Sequence, residues 1–405
     1  MKSTATDAGL LSFLSVPNYN PSPMPAKPHI LINGLSIGSG GGYTVARELF
    51  RHLAMLRPDW SITLALTSGH TLHEQLKAEP GLPSNTAFLW ADPSSQGRVA
   101  RSRYERNSLT QWARERGVSA VLQLNGMIVP GIPAPTLSHC QDPWPYRPEA
   151  WSGLKSRFIA FLKRRENARA FRGAAALGFT SHYLQDLMTA RLGITPRHSE
   201  VFYNGLPDGW IDRAAGPLPD WGSRPMEIVS VSNVGPYKRQ DLVIRALPAL
   251  LARPGLGDLV YRIAGHIEDA ERHRLTALIK SLNVGRHVVI EGRVSDERVQ
   301  QLLTTSRAFV LMSVCESFGI PAIEAMTFGA PVVTSDCCAM PEVCGNAAIL
   351  SPVDQIAPLV DNLHRVLTDA ETAQSLRVQG ALRARQFRWP ETAAQMARCF
   401  EQIMG

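Results

Sequence analysis

Residues Cys315-Glu316-Ser317-Phe318-Gly319-Ile320-Pro321-Ala322-Ile323-Glu324-Ala325-Met326-Thr327-Phe328-Gly329-Ala330-Pro331-Val332-Val333-Thr334-Ser335-Asp336 are the densest signal in this 405-residue chain. A strand is predicted to end at Ser313, a loop containing Gly319 follows, and Pro321 suits the first turn of a helix. The backbone N–H groups of Phe318, Gly319 and Ile320 then gather at a helix N-terminus, where unpaired donors and the helix dipole favour a phosphate. Glu316 lies on the loop side and Glu324 about one turn into the helix. Two carboxylates repel a phosphate, but each accepts two hydrogen bonds at once, so they suit the hydroxyls of sugars attached to that phosphate.

Outward from this segment, short apolar runs alternate with helical stretches. Strands are predicted at Glu227–Ser232, Val260–Ala264, Val288–Glu291, Ala308–Met312 and Pro331–Ser335. The first half repeats the rhythm: a run from Pro28 to Gly34, then Ile62–Leu66, Ala87–Trp90, Ala120–Leu124 and Ala175–Phe179, with a helix over Tyr43–Leu56. Alternation of this kind predicts an α/β architecture with two parallel sheets, and a crevice between them for ligands. The expected divisions are a loose leader at 1–28, a first domain at 29–206, a Pro/Gly-rich linker at 207–225, a second domain at 226–388 and a closing helix at 389–405.

Composition narrows the classes. With 44% hydrophobic and 19% charged residues the chain is neither disordered nor fibrous, and no uncharged apolar run approaches the ~18–20 residues of a membrane span. The six cysteines include no CxxC, which argues for buried thiols in a reducing cytoplasm rather than zinc or disulfides. No Asp-x-Asp occurs, so no metal site is expected on a diphosphate. The charge is lopsided: residues 1–215 hold 23 Lys+Arg against 15 Asp+Glu, and residues 216–405 hold 19 against 20. An anionic partner for the first half follows from that excess, and a membrane surface fits better than nucleic acid, for which no module signature exists.

Glu316 and Glu324, with seven residues between them and followed by Ala-Met-x-x-Gly-x-Pro-Val-Val, resemble the E-x7-E signature of family 4 retaining glycosyltransferases. Val231-Ser-Asn-Val-Gly-Pro-Tyr-Lys238-Arg-Gln-Asp resembles that family's basic phosphate-binding segment. Tyr261–Gly265, Glu291–Ser295, Met340-Pro-Glu342-Val and Asn204-Gly205 resemble further landmarks in the expected order. The resemblance implies a GT-B fold of two Rossmann-like domains facing an interdomain cleft, with the C-terminal helix packing back on the first. It implies that Glu324 binds ribose hydroxyls, Glu316 the hydroxyls of the transferred sugar, and Lys238 the leaving diphosphate, helped by the N–H groups of Phe318, Gly319 and Ile320. Asn233 stands where the family commonly has an arginine, and Arg239 is the neighbouring cation that could replace it.

In the first half, the glycine-rich run Gly34 to Gly42 is neither a P-loop nor a dinucleotide fingerprint, which removes NTPases and nicotinamide dehydrogenases. It is either a tight turn or, as the resemblance implies for Gly41 and Gly42, a loop close to the sugar diphosphate. His139 and Asp142 are expected at the cleft, beyond a strand end, with His139 at the reaction centre and Asp142 toward the acceptor; a structural histidine is the alternative. Trp151–Arg172 carries seven basic residues against Glu166 alone, with Leu154, Phe158 and Phe161 at near-helical spacing. Either its apolar face packs on the sheet, or it forms a patch for an anionic membrane, extended by Arg98, Arg101, Arg103 and Arg106. The resulting expectation is a cytoplasmic glycosyltransferase, peripheral to the membrane if that patch is used, taking a nucleotide-sugar donor and a saccharide or lipid-linked acceptor. A nucleotide-sugar epimerase and a degenerate sugar-nucleotide binding module are the alternatives.

Overall fold

The structure is a computed structural model that describes residues 27–37, 41–68, 81–92, 97–214 and 216–405. Residues 1–26 of the expected leader and Gly38–Gly40 of the glycine-rich run lie outside these residues. Two parallel sheets are present. The first joins β1 (His29–Asn33), β2 (Ser61–Thr67), β3 (Thr86–Ala91), β4 (Ala120–Leu124), β5 (Thr136–Cys140), β6 (Ala176–Phe179) and β7 (Ser199–Val201) in the order 3-2-1-4-5-6-7. The second joins β8 (Glu227–Val231), β9 (Val260–Ala264), β10 (Val288–Gly292), β11 (Ala308–Leu311), β12 (Val332–Ser335) and β13 (Ala348–Ser351) in the order 10-9-8-11-12-13. Each is a doubly wound sheet whose strand order reverses at its centre, between β1 and β4 or between β8 and β11. At such a switch point the loops leaving the carboxyl ends diverge and open a crevice.

Strands covered on both faces are near-continuously apolar, and β1, β4 and β11 bury almost every side chain. Helix Gly41–Leu56 lays Val45, Leu49, Phe50 and Leu53 on the first sheet. Beside it packs helix Trp389–Met404, the last in the chain, which buries Trp389, Met396 and Phe400 in that same core. This crossing back explains Gly205: a Cβ there would sit 2.3 Å from the Trp389 backbone nitrogen. Truncating Phe400 should cost about 3–5 kcal/mol, the range for a buried aromatic.

Three strands differ from the sequence reading. β5 carries Thr136, Ser138 and His139 on its buried faces in place of apolar residues, β7 is three residues long with no buried side chain, and β13 is a four-residue edge strand that buries only Ser351. The linker is also less irregular than expected. It contains helix Asp208–Ala214, which sets Trp210 edge-on to Phe328 at 5.2 Å.

Candidate functional site

The loop after β8 carries Asn233 and Lys238, and the loop after β11 carries Glu316, so both emerge at the switch point of the second sheet. They are stitched together by Val314 N donating to the Tyr237 carbonyl at 2.9 Å. Across this junction Lys238 Nζ donates to Glu316 Oε1 at 2.5 Å, and both side chains are largely buried. Burial alone would lower the Lys238 pKa, but the Glu316 charge outweighs it and the ammonium stays protonated above its ordinary value.

Gly319 precedes helix Ile320–Thr327 in the left-handed region, at φ 88°, and a Cβ there would meet Met340 Sδ at 2.5 Å. Glycine is needed on both counts. The N–H groups of Phe318, Gly319 and Ile320 donate to no protein group among the described residues, as the sequence pattern requires of an anion cradle. Glu324, one turn on, makes no side-chain hydrogen bond there either. Burial, reinforced by Asp296, raises its pKa to about 7. A half-buried carboxyl without a protein partner is stabilised in its charged form by hydroxyl donors.

The remaining residues fall into place differently. Asn233 is exposed, with no side-chain partner. Arg239 does not stand in for the absent arginine: at φ 56° it closes the turn before helix Gln240–Leu251 and lies 3.6 Å from Asp241. Gly41 and Gly42 open helix Gly41–Leu56 and face unfilled space. Asp142 borders the cleft. It pairs with Lys163 at 2.7 Å, and its charge reaches Tyr237, whose pKa is raised first by burial and then by Glu316 and Asp142.

His139 must be corrected. It lies within β5 rather than beyond a strand end, and it shares the Leu137 face, which turns to the core. Its ring is 1% exposed and edge-on to Phe202 at 6.0 Å, and burial lowers its pKa to about 4. A neutral core histidine here cannot touch a sugar in the cleft. Among the described residues one group has three metal-ligating atoms within 4.8 Å: His198 just before β7, Glu200 on β7 and Cys399 on the last helix, rather than on the cleft loops.

Two features carried no usable sequence signal. Asn125, after β4 at φ 104°, bonds Ser36 after β1 and so closes the switch point of the first sheet. Glu342 lies in the Met340-Pro-Glu342-Val segment. Its carboxylate accepts from His182 N and Tyr183 N, both at 2.8 Å, and from Tyr203 OH at 2.9 Å, capping a helix of the opposite domain. Thr180 and Ser181 hydroxyls donate to the Ser317 carbonyl at 3.1 and 2.7 Å, so the first domain holds the very loop that bears Glu316.

Residues 220–383 match the family model described as "Glycosyl transferases group 1". The chain is 31% identical over 112 residues to O-antigen chain mannosyltransferase B of Escherichia coli, covering 28% of this chain and 29% of that one. It is 33% identical over 133 residues to the MMP alpha-(1->4)-mannosyltransferase of Mycolicibacterium hassiacum, covering 32% of each. The aligned stretches thus span about a third or less of these curated relatives. Anabaena Alr3699/HepE, solved in complex with UDP and glucose, superposes over 93% of this chain and 100% of that one with a TM-score of 0.71 at 17% identity. The resemblance drawn from Glu316 and Glu324 is borne out at the level of the group, and the GT-B arrangement at the level of the whole fold.

Proposed function

We propose that this chain, with a group 1 glycosyl transferase domain over residues 220–383, is a retaining, metal-independent glycosyltransferase. It moves a hexose from a nucleotide diphosphate sugar to a saccharide or lipid-linked acceptor, in the synthesis of a cell-surface polysaccharide or glycolipid. Mannose is the first sugar to test, since both curated relatives are named mannosyltransferases.

One observation carries this reading: the Lys238–Glu316 pair, 2.5 Å apart at the switch point of the second sheet and followed directly by the free N–H groups of 318–320. Donor binding exchanges partners. The diphosphate takes Lys238 and the N–H groups, while Glu316, released, accepts from the sugar hydroxyls and Glu324 from the ribose. Donors fixed in advance where the leaving group gathers charge are the largest source of rate in such a site. With His139 in the core, retention follows from attack on the same face. The bond from the anomeric carbon to the phosphate oxygen breaks as the bond to the acceptor oxygen forms, and the acceptor proton passes to the departing phosphate.

The helix Gly153–Gly173 supports a peripheral position on the cytoplasmic face of a membrane. Leu154, Phe158 and Phe161 are 80%, 62% and 48% exposed instead of packing on the sheet, among Lys155, Arg157, Arg164 and Arg165. Among the described residues no helix is long and apolar enough to cross a membrane.

Incubation with GDP-mannose or UDP-glucose should release nucleoside diphosphate only when an acceptor is added, and give an α-linked product by NMR. Tight donor binding without transfer would indicate the binding module, and an isomerised donor without acceptor the epimerase.

A further inference from the structure

The donor site uses the cations of the second domain and leaves those of the first unexplained. At the switch point of the first sheet the carboxyl ends of β1, β4 and β5 open into a cleft of about 290 Å³, bordered by Ser36, Asn125 and Asp142. It shares Arg98 and Arg101 with an adjoining recess of about 50 Å³ that Arg106 and Arg169 also line. Two cations of this basin are matched: Arg98 by Glu166 and Lys163 by Asp142, both at 2.7 Å. The guanidinium groups of Arg101, Arg106 and Arg169 make no hydrogen bond and no ion pair among the described residues. The other acid, Glu105, is buried and accepts from Asn33 Nδ2 at 2.9 Å.

Two donors here are fully enclosed and unanswered, Arg101 Nε and Gln141 Nε2. A buried donor left without an acceptor is destabilising, so Arg101 Nε and Gln141 Nε2 suit oxygen atoms that the protein does not supply. The backbone is specialised at the same place. The segment from Arg98 to Glu115 is one helix interrupted at Glu105–Leu109 by a π-helical turn, which the Thr110 hydroxyl braces by donating to the Glu105 carbonyl at 2.9 Å. Such turns are frequent at functional sites. Asn125, at φ 104°, puts a strained residue on the rim.

We propose that this basin binds a phosphoryl group carried by the acceptor, so that the acceptor is a phosphate- or diphosphate-bearing sugar. A carboxylate offers two oxygens and fills one guanidinium fork; a phosphoryl group offers three or more in the geometry that guanidinium matches. Asp142 and Lys163, on the wall nearest the donor loop, are left to meet the sugar. Arg98, Arg101 and Arg106 therefore do not extend the membrane patch suggested by the sequence. The proposal rests on the transferase reading and names its acceptor class.

The test is calorimetric titration of the full chain in a Lys238→Ala background, which removes the donor-side cation. The probes are inorganic pyrophosphate, glucose 6-phosphate, geranyl diphosphate and glucose. Pyrophosphate should bind, and adding Arg101→Gln with Arg169→Gln should weaken it more than about tenfold, the scale of lost charge-assisted hydrogen bonds. Tighter binding of glucose 6-phosphate indicates a soluble acceptor, and tighter geranyl diphosphate a lipid-linked one; both support the shared chemistry. Unchanged pyrophosphate affinity in the double variant, or glucose binding as well as its 6-phosphate, overturns it. Should the double variant misfold, the exposed Arg106→Gln decides: about fivefold weaker binding supports the proposal and no change contradicts it. Nucleotide-sugar binding by the chain with native Lys238 is measured alongside, and its absence would sink the transferase reading instead.

Discussion

At the switch point of the second sheet Lys238 is matched by Glu316 at 2.5 Å, whereas at that of the first sheet Arg101, Arg106 and Arg169 face their basin without an ion partner. Both sheets have the same strand order, so topology places a crevice in each and does not decide what it holds. Charge decides. The second crevice is nearly neutral at rest and suits a ligand that brings both an anion for the lysine and hydroxyls for the glutamate. The first keeps an excess of cations and suits a ligand that is anionic throughout its contact. The imbalance over the whole sequence, 23 basic against 15 acidic residues before 216 and 19 against 20 after it, has this local counterpart.

The largest effect should come from breaking the neutral pair. Lys238→Ala should cut transfer about 100-fold, the loss typical of one preorganised charge-stabilising donor. A correctly folded variant that turns over at the parent rate would remove the donor site from this loop altogether.

Glu324 sharpens the comparison through pH. Its carboxyl has a pKa of about 7 in the free protein, and the ionised form accepts hydroxyl hydrogen bonds on both oxygens more strongly than the acid does. Below that pKa the group carries its proton and binds poorly; above it the acceptor is ready. Intact nucleotide-sugar affinity should therefore rise about tenfold from pH 6 to pH 8, and Glu324→Gln should flatten the profile. A parent profile that is already flat would mean the carboxylate does not read the ribose.

The contrast between the halves also depends on how they are held together. Glu342 accepts three hydrogen bonds from the opposite domain, so Glu342→Ala should lower stability by about 1.5–3 kcal/mol, the scale for hydrogen bonds to a charged group. Denaturant melts would register this, and small-angle scattering would show a wider molecule. Unaltered stability and shape would assign the interface to other contacts.

The smallest effect concerns the outer surface of the first half. Exposed Phe158 and Phe161 beside Arg164 and Arg165 should give weak binding to anionic vesicles, a few-fold weaker at high salt because surface charge is screened. Sedimentation of the parent against Lys163/Arg164/Arg165→Glu measures it, and equal binding by both would return the helix to a purely structural role.

How far the sequence could be read follows the same division. The second half was legible because its strands are apolar runs and its site residues lie in two short segments, around Lys238 and around Glu316–Glu324, so local spacing nearly fixes the geometry. The first half assembles its basin from β1, β4, β5 and two helices. Ser36, Arg101, Asn125, Gln141 and Arg169 meet only after the chain has crossed the sheet several times, and no local spacing encodes that. His139 shows the cost: its expected position beyond a strand end suggested the cleft, while the alternation of β5, masked by Thr136 and Ser138, turns it to the core. Lys238 and Arg239 show the converse: adjacent cations in sequence diverge in space, Lys238 to Glu316 and Arg239, at φ 56°, to Asp241.

The central claim is that the two glutamates read different parts of one donor. Calorimetric titration of Glu316→Ala and Glu324→Ala with both nucleoside diphosphate and intact nucleotide sugar tests it most directly. Glu324→Ala should weaken both ligands by about 1.5–3 kcal/mol, since both contain the ribose. Glu316→Ala should leave nucleoside diphosphate binding nearly unchanged, or slightly tighter as Lys238 is freed, while intact-donor affinity and transfer fall. Equal weakening of both ligands by Glu316→Ala would mean that its carboxylate does not meet the sugar, and would contradict the account.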